Sequence, residues 1–259
     1  MITKKISKLT TKAISEYQMI QNGDRLLVGI SGGNDSMVLM HLLTHLQRRA
    51  PFDFTIKGVT VDAGWDGIDI KGLHTYCLDQ GWDHDVIRFN AKKLLKEKGA
   101  EKRPCALCAR LRRGKLHGYA DAFGYNKIVL GQHLDDICVS LLMGLFRGHG
   151  LTTMGPNVAA DQKSGGDKRI IRPMAFLTKA MIDDCAKKFE FPKFGECDFG
   201  EMLKQDGDRS FLEEHLKVLE KRFPRIRQSM LKSMSDVRPG YLLDPKFLDY
   251  LGHPEKVRT

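Results

Sequence analysis

Apolar positions near the start of the chain recur at helical spacing. Ile6, Leu9, Ala13 and Tyr17 predict a helix over 4–20. A turn at Asn22-Gly23-Asp24 ends that pattern, and Leu26-Leu27-Val28-Gly29-Ile30 follows as a continuous apolar run. Such a run is what a strand buried on both faces requires. The alternation then repeats. A helix is expected over 35–49, a strand over 54–61, a helix over 69–80, a short strand over 86–89 and a helix over 104–123. A strand over 127–130, a helix over 134–147, a strand over 170–173 and a helix over 179–189 complete the series. Strands that alternate with helices imply an α/β fold with a doubly wound, mostly parallel sheet. Two stretches break the rhythm. Residues 161–168 (DQKSGGDK) are polar and Gly-rich, so an exposed loop is expected, and 192–208 has no regular period. Helical patterns over 209–222 and 225–236 close the chain. The expected organisation is an α/β domain over 1–190, then a segment over 191–259 that ends in a small helical extension.

Composition narrows the classes. Hydrophobic residues make up 42% of the 259, enough for a substantial core. The longest apolar run is far too short to span a membrane, and the N-terminus lacks the apolar stretch of a secretion signal. Six cysteines are too sparse for a disulfide scaffold, so a reducing, cytoplasmic setting is expected. Lys and Arg number 42 against 32 Asp and Glu, a net charge of +10. A basic surface attracts polyanions, with nucleic acid first among them.

The first strand runs directly into Ser31-Gly32-Gly33-Asn34-Asp35-Ser36, where a helix begins. Two glycines let the backbone turn sharply and approach an anion closely. Backbone N–H groups and the positive helix end then face that anion. Ser31 and Ser36 add hydroxyls, and Asp35 can stand near a magnesium ion. The spacing is neither that of a Walker A loop nor that of a dinucleotide fingerprint. It resembles the PP-loop of the ATP pyrophosphatase superfamily, which implies a grip on the pyrophosphate released when ATP donates AMP. Ser164-Gly165-Gly166-Asp167 repeats part of the pattern without a strand before it, so it is expected to be plain loop. At the ends of later strands stand Asp62, placed to approach an adenosine or to cap a turn, and Gly131-Gln132-His133-Leu134-Asp135-Asp136. The acidic pair there suits a metal or a reacting base.

Pro104-Cys105-Ala106-Leu107-Cys108 opens a helix. Cysteines three apart share one helix face, in the positive field of the helix N-terminus and beside Arg110, Arg112 and Arg113. Such a pair serves either as a redox couple or as two ligands of a metal. Cys197 is a third soft donor, within the irregular stretch. Three cysteines suit zinc or a [4Fe–4S] cluster with one iron left open. Cys77, Cys138 and Cys185 fall in helical patterns and are expected to be buried core residues.

The segments CALCARLRRG (105–114) and GQHLDDI (131–137), the phosphate loop, Ile171-Arg172-Pro173-Met174, the surroundings of Cys197 and Val237-Arg238-Pro239 are similar, in order and spacing, to the TtcA-type tRNA 2-thiolation enzymes. The likeness runs from about residue 10 to 245. It implies an adenine nucleotide alpha-hydrolase-like fold. It also implies ATP and Mg²⁺ at residues 31–36, with Asp62 and Gly131 on the nucleotide. It implies a [4Fe–4S] cluster on Cys105, Cys108 and Cys197, and 2-thiocytidine formation in the anticodon loop of a tRNA, at position 32. Arg112 is then expected to neutralise phosphate charge, and Asp135 to help at the base or metal. A sulfur donor system (a cysteine desulfurase or free sulfide) is implied as a partner, and a homodimer is compatible with it. Basic residues of the last helices, Lys217, Lys221, Arg222, Arg225, Arg227 and Lys232, are candidates for tRNA phosphates. Two departures stand out: Asn34 replaces a lysine common in relatives, and Gly200 stands where they often carry a further cysteine. Thiolation of another base and a zinc-stabilised RNA-binding module are the rival readings of the same pattern.

Overall fold

The computed structural model describes residues 2–97, 104–160, 167–195 and 207–250. Most of the 161–168 loop, with its SGG repeat, lies outside them, as do Cys197 and Gly200; so does the side chain of Cys105.

The chain begins with α1 (Lys4–Glu16), shorter than the pattern suggested because Gln18 takes a left-handed φ of 47° and turns the chain. β1 (Arg25–Gly29), α2 (Asn34–Gln47), β2 (Thr55–Asp62), α3 (Ile70–Asp79) and β3 (His84–Arg88) follow. Then come α4 (Ala91–Glu97), α5 (Pro104–Phe123), β4 (Lys127–Val129) and α6 (Leu134–Phe146). β5 (Asn157–Ala159), β6 (Arg169–Ile171) and α7 (Lys179–Lys187) complete the α/β part. Two further helices, α8 (Asp208–Arg222) and α9 (Ile226–Ser235), lead to short 3-10 turns.

The six strands form one sheet in the order β3-β2-β1-β4-β6-β5. All neighbours are parallel except the edge strand β5, which runs antiparallel to β6. The order reverses between β1 and β4, so the ends of these two strands open a crevice where a ligand can sit. One face of the sheet is covered by a large core that includes Ile6, Met37, Leu39, Leu43, Leu73, Met174 and Ile182. The other face packs through Leu27, Val59 and Ile128 on Leu116 and Ala120 of α5. Phe194 is buried in the first core, so residues just past 190 pack with the main α/β body. The helical extension is fastened separately: Leu212 and Leu216 of α8 are buried against Leu134, Cys138 and Val139 of α6.

Candidate functional site

The loop after β1 is shaped by its own side chains. Gly32 takes a φ of +82°, a conformation that glycine adopts without strain. A Cβ there would come within 3.3 Å of Leu73 and 3.4 Å of Phe194, so the loop lies close under both. Ser36 Oγ donates to the Gly33 carbonyl at 2.9 Å and accepts the Ser31 N–H at 3.1 Å. The two serine hydroxyls stand 3.2 Å apart, and the Gly33 N–H donates to Ser31 Oγ at 3.3 Å. Ser36 is 5% exposed, so its hydroxyl knits the loop rather than facing an incoming ligand. Ser31, Gly33 and Asn34 are exposed, and α2 starts at Asn34. Gly131 presses on this first turn: a Cβ there would meet the Asp35 carbonyl and the Ser36 nitrogen at 3.3 Å. Its place is therefore one of close backbone packing behind the loop.

A cleft of about 190 Å³ opens beside the loop. It is lined by Gly29, Ile30 and Ser31, by Val59 to Val61 of β2, and by Arg112 and Leu116 of α5, with Ile68, Ile70 and Leu130 completing it. The lining is apolar enough for a purine face, with Ser31 and Arg112 as its polar marks. Arg112 is half-buried, and its Nε is buried with no hydrogen-bond partner among the described residues. A buried N–H left unpaired is costly, and an anion bound in the cleft would satisfy it. A larger cavity, about 550 Å³, lies between α1 and the far end of α2. Its residues precede β1 and β2, at the opposite end of the strands, and none of them belongs to the candidate site.

Cys108 sits one turn before Arg112 on the same face of α5. Its thiol is free and 9% exposed, in an apolar cluster with Ala63, Trp65, Ala91 and Leu95, against which Ile68 packs. The backbone of Cys105 lies in the first turn of the same helix. Gly195 forms a β-bridge with Ile68, and the Asp69 N–H donates to the Phe194 carbonyl at 2.8 Å. The chain is thus tied beside the Cys108 cluster, and over Gly32 of the loop, two residues before Cys197. Among the described residues no group of three or more His, Cys, Asp or Glu side chains is arranged to hold a metal ion, and two of the three expected cysteine ligands fall outside that set. Cys77, Cys138 and Cys185 are buried core residues, and burial pushes the Cys77 and Cys138 thiols up to about 12.

The acidic groups are engaged by cations. Asp35 meets Lys179 Nζ at 2.5 Å. Asp135 is 7% exposed and off the cleft wall. One of its oxygens faces Arg227 Nε at 2.9 Å, and the other accepts the Lys179 N–H at 2.8 Å. Burial alone would raise its carboxyl, but His133, the Lys179 N–H and the Arg227 charge together bring it below the ordinary range. The expected direct role of Asp135 at the base or metal therefore meets a carboxylate occupied on both oxygens. Asp136 accepts the His133 N–H at 2.9 Å and pairs with Arg209. Asp62 accepts the Gly64 N–H at 2.8 Å and stands 3.6 Å from Arg88 Nε, which makes it the turn cap. It directly follows Val61 of the cleft wall but is not itself among the cleft residues. Arg227 is 4% exposed and bound to Asp135 and Glu220, which removes it from the basic residues available to a polyanion. Lys179 was absent from the sequence-based candidates; its distance from the loop along the chain hid it.

The model of the PP-loop domain family matches residues 2–192. The chain belongs to the PP-loop family. Its relatives include a tRNA-cytidine(32) 2-sulfurtransferase from Syntrophotalea carbinolica, 35% identical over 251 residues, which covers 95% of this chain and 94% of that protein. Another protein of the same name, from Pelobacter propionicus, is 38% identical over 237 residues, covering 90% of this chain and 86% of the relative. Among solved structures, the U34-tRNA thiolase NcsA from Methanococcus maripaludis, described with its [4Fe-4S] cluster, superposes with a TM-score of 0.69. At 19% identity, over 89% of this chain and 77% of that one, this likeness extends to the fold alone. The Gly-rich loop of residues 31–36 and the cleft beside it both lie within the span that the PP-loop domain model matches.

Proposed function

We propose that this PP-loop protein is an ATP-dependent tRNA sulfurtransferase that activates C2 of a cytidine, at position 32 of the anticodon loop, and replaces its oxygen with sulfur. The observation that carries the reading is one convergence. The loop, Arg112 and Ile68 line one cleft, and Ile68 also packs on the Cys108 cluster and forms the β-bridge with Gly195, two residues before Cys197 in the sequence. Relatives named for this activity match nearly the full length of the chain.

The oxygen at C2 of a pyrimidine is a poor leaving group. Its attack on the α-phosphate of ATP forms an adenylate and releases pyrophosphate. AMP then departs readily when sulfur arrives at C2. The amides of residues 31–36 and the N-terminal end of α2 would hold the departing pyrophosphate with Mg²⁺. Arg112, whose Nε is unpaired among the described residues, would neutralise phosphate charge across the cleft. The apolar walls exclude water, which would otherwise hydrolyse the adenylate.

The residues present fit an iron–sulfur cluster. Cys108 is an undisulfided, nearly buried thiol, the backbone of Cys105 lies one turn away, and the chain is anchored beside them just before Cys197. Thiolates on one helix face are the soft ligands such a group takes. Held by Cys105, Cys108 and Cys197, a [4Fe–4S] cluster would supply an open iron position that carries the sulfur atom. α8 and α9 form the extension that meets the tRNA, with Lys217, Lys221, Arg222, Arg225 and Lys232 exposed on it.

The test is anaerobic purification followed by iron and sulfide analysis, with nucleoside mass spectrometry of tRNA incubated with ATP, Mg²⁺ and sulfide. Wild-type protein should carry four irons and form 2-thiocytidine. Cys108→Ser should lose the brown absorbance and reduce thiolation by at least about a hundredfold, the scale of losing one essential group. Unmodified cytidine with the wild-type protein, or full activity in Cys108→Ser, would refute the reading.

A further inference from the structure

The loop of this chain has no cation of its own. Asn34, at the point where the loop enters α2, is neutral and exposed. Backbone amides and one arginine on the far wall would be left to balance the several negative charges of a triphosphate. The structure brings a cation from elsewhere. Lys179 opens α7, on the far side of the sheet's crossover, and its Nζ reaches Asp35 of the loop at 2.5 Å. Asp183, one turn along α7, holds the same ammonium group at 3.1 Å. A lysine in the first turn of a helix opposes the helix dipole, so the helix itself gives no reason for it to be there. The two carboxylates keep it charged against partial burial. Its side chain is 36% exposed, and Asp35 37%, so the pair borders open solvent at the mouth of the loop.

We infer that Lys179 supplies, from α7, the phosphate-binding cation that position 34 of the loop lacks. This inference rests on the ATP reading of the loop and adds a residue to it. An incoming triphosphate would compete with Asp35 for the ammonium group, which would then be shared with the β- or γ-phosphate, leaving the Asp35 carboxylate free to help hold Mg²⁺. This sharing stays within reach because Lys179 is anchored by its backbone N–H on Asp135. Asp135 thereby becomes a positioning residue: it fixes the start of α7, and α7 fixes the cation. Lys179 and Asn34 would exchange the roles of cation and neutral neighbour without altering the loop backbone.

The experiment is calorimetric titration of anaerobically purified holoenzyme, with Mg·ATP and separately with AMP, in wild type, Lys179→Met and Asn34→Lys/Lys179→Met. AMP lacks the phosphates that Lys179 would touch. The expected result is an affinity for Mg·ATP lowered roughly tenfold in Lys179→Met, the scale of one charge-assisted hydrogen bond, with AMP affinity unchanged. The double variant should recover most of the loss. A Lys179→Met protein that binds Mg·ATP like wild type overturns the inference while leaving the loop a nucleotide site. So does an equal loss for AMP and ATP, which marks a structural tie between α7 and α2, or a double variant no better than the single one. Wild-type protein that fails to bind Mg·ATP overturns both this inference and the reading beneath it.

Discussion

His133 stands among three carboxylates: Asp136 at 3.4 Å, Asp135 at 3.6 Å and Asp35 at 3.9 Å. Burial pulls its ionisation down, but the approach of Asp135 and the charges of Asp136 and Asp35 pull harder, and the net displacement is upward from 6.5. A histidine raised in the folded state binds its proton more tightly there than in the unfolded chain. Its stabilisation is complete below 6.5 and is lost as pH rises through the higher folded value. Asp135 is held low, so it stays ionised across that range and adds no slope. Two other histidines act oppositely. Burial lowers His41 and His84 to about 4, so their contribution is present above 6.5 and is lost as pH falls towards 4. Wild-type protein should therefore lose stability in acid despite His133. The His133 part is isolated by comparison with His133→Asn in urea unfolding from about pH 5.5 to about 8.5, a range that brackets the ordinary histidine value. The gap between the two proteins should be widest at the acid end and should narrow as pH rises above 6.5 through the higher folded value. Its size should be about 1.4 kcal/mol for every tenfold by which folding tightens proton binding at the imidazole. A gap independent of pH would mean that the imidazole packs there without its charge.

α6 joins the two ends of the molecule. Its first turn carries Asp135 and Asp136, and its apolar side receives α8 and α9 through Leu134, Cys138 and Val139. Arg227 from α9 reaches Asp135, and Arg209 from α8 reaches Asp136, so the extension is fixed by charge at one end and by packing along its length. Leu216 is 1% exposed at the middle of that packing. Leu216→Ala should lower the unfolding free energy by about 2–5 kcal/mol, read from the urea midpoint. A loss near zero would mean that α8 lies loosely on α6. Most of these elements were legible beforehand, because strands buried on both faces and helices with one apolar stripe have different periods. β1, α2, β2, α3, α5, β4, α6 and α7 all fall within a few residues of the expected ranges. α4 escaped notice because its seven residues, AKKLLKE, are too few and too charged to show a stripe. β5 escaped because three residues at an antiparallel edge, Asn157 among them, carry almost no alternation. Arg227 looked like any exposed basic helix residue, since nothing local reveals a partner as distant as Asp135.

At the scale of the whole molecule, the sequence motifs named what the site contains but not how its parts face one another. The loop and the CxxC helix were readable because glycines at a strand end and cysteines at a helix start are local patterns. Their meeting through Ile68, Gly195 and Phe194 is a property of the fold, as is the cation delivered by Lys179. The net charge of +10 belongs to the same scale. With Arg227 withdrawn into the interior, the exposed basic groups of α8 and α9 include Lys217, Lys221, Arg222, Arg225 and Lys232, of which Lys217 is held by Glu214 at 2.7 Å. Phe223 and Val218 are exposed among them, so the surface offers apolar area as well as charge. Binding of tRNA through such a surface releases counterions, and its affinity must fall as salt rises. Replacing Lys221, Arg222 and Arg225 together by alanine should weaken tRNA binding at about 0.15 M salt by at least about tenfold. It should also flatten the plot of log affinity against log salt by about one for each phosphate that is no longer neutralised. Mg·ATP affinity should not change, because none of these residues lines the cleft. A triple variant with wild-type tRNA affinity and an unaltered salt slope would place the tRNA elsewhere and leave α8 and α9 as a structural cover for α6.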